Sequence, residues 1–206
     1  FVIPTLIFFI TEQTTVLRGM GFSHAVLVST FSDVTARTAG FNTVDFKLFS
    51  DAGKMVFIII MFIGAGSGST AGGIKMTTFF VLLAQVRANV LNKKITEVFN
   101  RTISNEIVVR AATISTINIS LILVSAIVIN YIDKINILDL LFEVTSAVST
   151  VGVTTGITRD LNVISKYILI LLMYLGRVGG LSFALSLTHN KNQVKLRNPV
   201  EEISIG

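Results

Sequence analysis

Residues 111–132 run for 22 positions without a charged side chain. A helix of that length covers the ~30 Å hydrocarbon core of a bilayer, so this run constrains the fold more than any other feature. Composition agrees with it. Of the 206 residues, 51% are hydrophobic and 14% are charged, where a soluble domain carries roughly 25% charged residues. A disordered chain, a collagen-like chain and an ordinary soluble enzyme are excluded. The chain reads as an integral membrane protein.

The absence of cysteine removes disulfide frameworks and thiolate metal sites. His24 and His189 stand too far apart in sequence for a histidine-rich metal centre. The net charge of +5 comes without a basic stripe interleaved with aromatics, so no nucleic-acid partner is expected. No basic segment precedes the apolar start at Phe1, and the chain reads as beginning inside a helix of a longer protein.

Other apolar stretches are shorter or interrupted. Residues 1–10 are too short to span, and 55–63 form a dense apolar run. That run meets GAGSGSTAGG at 64–73, which holds five glycines, two serines and a threonine. Apolar sequence resumes over 74–91, and a second interrupted segment covers 163–187 with GRVGG at 176–180. Two brief apolar segments, 24–32 and 137–149, precede the interrupted ones and end in glycine-centred turns. In a membrane each reads as a re-entrant helix and loop, because non-helical backbone survives at that depth only where protein or water covers it.

A shift of 112 residues superposes these features without a gap. Thr38, Ala39 and Gly40 fall on Thr150, Val151 and Gly152; Gly64 falls on Gly176, Gly68 on Gly180 and Lys54 on Lys166. The chain divides into units 1–98 and 99–206, each with a helix, a re-entrant helix and loop, and a broken second helix. Two crossings per unit make the repeats parallel, and the fold class is an all-α integral membrane protein of helix–pore-loop–helix repeats.

Loop charge orients the units. Residues 87–110 have a net charge of +3 and the tail from 188 one of +1, while 33–54 are neutral and 133–166 carry −1. The central linker and the tail are therefore expected in the cytoplasm of a multi-pass plasma-membrane protein. The glycine turns enter from outside, flanked by acidic residues placed to gather cations: Asp33, Asp45 and Asp51 in the first segment, and Asp133, Asp139, Glu143 and Asp160 in the second.

A cation entering a membrane must exchange its water for other oxygens, and backbone carbonyls of an extended turn can supply them. Thr38, Ala39, Gly40, Phe41 and Asn42, and Thr150, Val151, Gly152, Val153 and Thr154, have the small side chains and central glycine that such a turn needs. The plain alternative is a pair of turns that cap apolar helices.

These motifs together resemble a family. HAVLVSTFSDVTARTAGFNTVDF, GAGSGSTAGGIKMTT, and STVGVTTGIT followed by YLGRVGG are similar to the last two pore repeats of the Ktr/Trk/HKT potassium transporters. The likeness is nearest to the KtrB type of membrane subunit and covers nearly the whole chain, including the tail VKLRNPVEEISIG. The resemblance implies four repeats around one pore, with repeats three and four supplied here, and a homodimer with one pore per subunit. It implies K⁺ as the transported ion, with Na⁺ dependence or permeation open. It also implies a cytosolic RCK-type ring of the KtrA kind, which binds nucleotide itself and meets the linker and the tail. No covalent cofactor is expected, and metal only as K⁺ at the filter carbonyls.

On this resemblance the selectivity filter comprises the ten turn residues named above, centred on Gly40 and Gly152. The gate is an intramembrane loop of Gly64, Gly66, Ser67, Gly68, Ser69, Thr70, Gly72 and Gly73, with Arg177 below the filter as a cationic barrier touching that loop. An arginine at mid-bilayer costs at least ~2.5 kcal/mol, so it must face a pore or find carbonyl partners. Arg37 is expected to brace the first turn through Asp33 or Asp45, and Lys75 to reach the cytoplasmic interface. No nucleophile–base pair or carboxylate dyad stands out, so no enzyme activity is expected. Two alternatives stay open: an alternating-access secondary cation transporter, and a membrane scaffold whose glycines serve close packing alone.

Overall fold

The computed structural model describes residues 2–179 except 67, 70, 94 and 100. The expectations for Ser67, Thr70, His189, Gly180 and the tail lie outside the described residues.

The chain is mostly helical. Four helices precede the linker: α1 (Val2–Glu12), α2 (Phe22–Thr35), α3 (Asp51–Phe62) and α4 (Met76–Val90). Three follow it: α5 (Asn105–Asp133), α6 (Ile137–Val148) and α7 (Val163–Val178). Short 3-10 turns at Phe46–Leu48 and Ile157–Arg159 lie before α3 and α7. The linker holds a two-residue antiparallel hairpin, β1 (Glu97–Val98) with β2 (Arg101–Thr102), which an all-helical expectation lacks.

Local chemistry fixes several helix starts. The Gly53 N–H donates to Ser50 Oγ at the head of α3, with Asp51 in the first turn where the helix dipole favours an anion. Asn136 Oδ1 accepts from Leu138 N–H at α6, and Asn162 Oδ1 from Ile164 N–H at α7. α5 stops where Lys134 turns left-handed at φ 53°.

Among the described residues one helix, Asn105–Asp133, is long and apolar enough to cross a membrane by itself. It starts six residues before the uncharged run, because Asn105 to Arg110 extend the same helix with polar side chains. α7 runs through Gly176 and Arg177 to Val178 and ends at Gly179, φ 89°, inside the GRVGG stretch at 176–180 where an interruption is expected.

α6 lies at the centre, packed against α3, α5 and α7. Its Leu140, Phe142 and Val144 are fully buried. One core cluster joins α1, α3 and α6 through Phe8, Phe46, Phe49, Phe57 and Phe142. Phe57 stacks on Phe142 with ring centroids 5.5 Å apart, and such pairs add ~0.5–1.5 kcal/mol each. A second cluster joins α5, α6 and α7 through Ile129, Leu140, Leu169 and Leu172. Lys54 on α3 and Asp139 on α6 form an ion pair at 2.7 Å, with side chains 10% and 20% exposed. Removing one partner of so buried a pair costs about 3–5 kcal/mol. The outward faces of α4 and α5 stay apolar and exposed, at Leu83, Val90, Val124 and Ile127 among others.

Candidate functional site

The turns after α2 and α6 share a backbone signature. Thr38 and Gly40 both have φ 76°; Thr150 has φ 55° and Gly152 φ 88°. Each turn is clipped by one hydroxyl from the helix before it. Thr35 Oγ1 donates to the Phe41 carbonyl at 2.7 Å and accepts from the Phe41 N–H at 2.8 Å. Ser146 Oγ donates to the Val153 carbonyl at 2.7 Å and accepts from the Val153 N–H at 3.0 Å. Both polar groups of the residue after the central glycine are thus consumed inside the protein.

The preceding carbonyls are not. Among the described residues, the carbonyls of Thr38, Ala39 and Gly40, and of Thr150, Val151 and Gly152, accept no hydrogen bond. The two turns also touch. A Cβ built on Gly40 would lie 2.6 Å from the Val151 carbonyl oxygen. Only a glycine allows that approach, so the turns of the two halves converge on one place.

Three of the acidic residues near the turns are placed differently from the expectation, while Asp45, Asp51 and Asp160 are exposed. Asp33 is fully buried and pairs with Arg37 at 3.5 Å, while Thr5 Oγ1 donates to its other oxygen at 3.4 Å. The Arg37 brace is therefore to Asp33. Glu143 is 5% exposed and Asp139 is held by Lys54. None of these three is a free surface charge gathering cations, because each is drawn into the packing by a partner on the protein.

Residues 64–73 form a loop pinched at its base. The Gly64 N–H donates to the Ile74 carbonyl at 2.9 Å, and the Ile74 N–H to the Phe62 carbonyl at 3.1 Å. Lys75 is engaged by the loop itself. Its ammonium turns back and donates to the Ser69 and Ala71 carbonyls at 2.6 and 2.7 Å, because those loop carbonyls have no helical partners.

The loop reaches the second turn directly. The Gly72 N–H donates to Thr150 Oγ1 at 3.0 Å. A Cβ on Gly72 would come within 2.8 Å of the Val148 and Ser149 carbonyl oxygens, and one on Gly176 within 2.0 Å of Val148 O. Loop and α7 therefore both press on residues 148–150. Arg177 lines a cavity of about 470 Å³ beside the Gly152 turn, with Glu143, Thr150, Gly152 and Thr154 among its walls.

Sequence reasoning missed Thr35, Ser146 and the inward turn of Lys75, and took Glu143 for a cation-gathering loop charge. A hydroxyl in the last turn of each short helix was the available signal for the first two. For Glu143 it was a carboxylate within an otherwise apolar segment.

Comparison with known proteins gives a consistent set. The family model described as TrkH, cation transport protein, matches residues 1–196. The chain is 39% identical to the potassium/sodium uptake protein NtpJ of Enterococcus hirae, over 98% of its length and 46% of that protein. It is 38% identical to the Ktr system potassium uptake protein B of Bacillus subtilis, over 91% of its length and 42% of that protein. Its fold matches the crystal structure of the potassium transporter TrkH from Vibrio parahaemolyticus with a TM-score of 0.76 at 20% identity, covering 91% of this chain and 42% of that one. The chain thus spans a little under half the length of these relatives.

Proposed function

The chain belongs to the TrkH family of cation transport proteins, in its Ktr-like branch, and from that premise we propose that it supplies half of a potassium-conducting path. Membership makes it a membrane protein of a transporter family rather than of an enzyme family. One observation carries the reading: two glycine-centred turns abut, and six of their backbone carbonyls accept no hydrogen bond among the described residues. Oxygens of that kind replace the hydration shell of a cation. On this reading α2 and α6 are re-entrant pore helices. Their C-terminal ends direct partial negative charge at the ion.

The units 1–98 and 99–206 are then the third and fourth of four parallel repeats, in a multi-pass protein whose linker 87–110 and tail face the cytoplasm. The loop from Gly64 to Gly73 is the gate, tethered by Lys75 and by its bond to Thr150. Arg177 adds a cationic barrier at the cavity below the turn. The names of relatives favour K⁺ as the ion, with Na⁺ as a second one, and a multi-component system. The homodimeric membrane part and the cytosolic nucleotide-binding ring follow from the family resemblance alone.

The test is growth of a potassium-uptake-deficient bacterium carrying the full-length chain with its regulator. Restored growth at low K⁺, with K⁺ uptake faster than Na⁺ uptake, is the expected result; no K⁺ uptake by a folded, membrane-inserted protein sinks the reading. Arg177→Ala should raise K⁺ flux through the same protein. Unchanged flux and gating would remove Arg177 from the barrier.

A further inference from the structure

Glu143 touches none of the six free carbonyls, yet it ties down the turn that bears three of them. It sits on α6 and is almost wholly removed from solvent, where a carboxylate requires hydrogen-bond partners. Those partners lie beyond the glycine. Thr154 Oγ1 and Thr158 Oγ1 both donate to Glu143 Oε1, the latter at 2.8 Å. Thr154 Oγ1 in turn accepts the Gly156 N–H at 2.8 Å. With Oε1 accepting from both hydroxyls, neither donates to the other, although their oxygens lie 2.8 Å apart.

The carboxylate thus anchors the exit of the turn to the helix that feeds its entrance. The Ser146 clip at Val153 anchors the middle. Between the helix end and these anchors lie only Ser149 to Gly152. A segment so short, held at both ends, keeps its carbonyls at one spacing. The first turn is built otherwise: the position 112 residues before Glu143 is Phe31, which has no carboxylate to offer.

We infer that Glu143 is a positioning residue for cation discrimination, holding the Gly152 turn at a width suited to the larger ion through Thr154 and Thr158. The inference rests on the pore reading above. With the anchor gone, the turn relaxes and closes around a smaller cation, and Na⁺ gains against K⁺.

The experiment compares initial K⁺ and Na⁺ uptake into liposomes holding the full-length chain. Glu143→Ala should lower the K⁺/Na⁺ ratio about tenfold, the effect of losing two hydrogen bonds within a buried site. Glu143→Gln keeps Oε1 as an acceptor for both hydroxyls and should stay within about twofold of the parent. A parental ratio in folded Glu143→Ala overturns the inference, as does a Gln variant as unselective as the Ala variant, which would make the charge itself the agent. Should Glu143→Ala not fold, Thr158→Val removes one donor and should lower the ratio about threefold; an unchanged ratio there overturns the inference. Failure of the pore reading is read separately, as absence of K⁺ uptake in the parent protein.

Discussion

The turn around Gly40 and the turn around Gly152 have left-handed residues at matching positions and one clipping hydroxyl each. Their surroundings diverge. α6 is enclosed by α3, α5 and α7, and Val153 after its glycine is 2% exposed; Phe41, its counterpart, is 68% exposed. The first turn takes its support from an ion pair, Asp33 with Arg37, and the second from a carboxylate shared by two threonines. The same backbone is thus reached by different side chains. The lesson is that the turn geometry is the common requirement, while the means of holding it follows what packs behind.

This comparison breaks or sharpens under mutation. The largest effect is expected at the glycines. Gly40→Ala adds a Cβ 2.6 Å from a backbone oxygen and should abolish K⁺ uptake. A Cβ on Gly152 meets nothing within 4 Å, so Gly152→Ala suffers left-handed strain alone. That strain, ~1–2 kcal/mol, should reduce uptake about tenfold. Uptake rates of the two variants in the full-length protein decide it, and a Gly152→Ala variant as dead as Gly40→Ala would erase the distinction.

A smaller difference is expected at the clips. Ser146→Ala leaves the N–H and carbonyl of buried Val153 unpaired, at a cost of ~1–3 kcal/mol. Thr35→Val exposes Phe41 groups that water can reach, and should cost under ~1 kcal/mol. Thermal unfolding of the purified full-length variants should rank them in that order.

The smallest difference concerns the loop. Gly72 donates to Thr150, while Thr38 Oγ1 takes no hydrogen bond among the described residues. Thr150→Val should therefore raise resting K⁺ leak about fivefold, the worth of one hydrogen bond of ~1 kcal/mol. Thr38→Val should not. Equal leak in both would place the loop's restraint elsewhere, with Lys75 the first residue to test.

Much of the fold was legible because apolar runs end where polar caps begin. The segment 137–149 became α6, Ile137–Val148, since Asn136 caps one end and the Thr150 turn follows the other. The missed parts have physical reasons. A charge-free window sees only the apolar part of α5, so the polar turn from Asn105 was invisible. Strands of two residues show no alternation, which hid β1 and β2. The glycine turns repeat at 112 residues, but the clips Thr35 and Ser146 are 111 apart, so aligning the glycines misaligns the hydroxyls. Glu143 counted as a loop charge because its partners lie 11 and 15 residues onward, where only folding brings them.

On the proposed reading, the hydrogen bond from Gly72 to Thr150 makes entrance and obstruction terms of a single equilibrium. Carrying Gly72 away from its place removes a donor from Thr150 and leaves the turn less restrained. Thermodynamic linkage runs both ways with one magnitude. An ion that orders the Gly152 turn must therefore favour the loop where it lies, by as much free energy as the settled loop lends to the ion. Occupancy above and closure below would then report on each other without any third element between them.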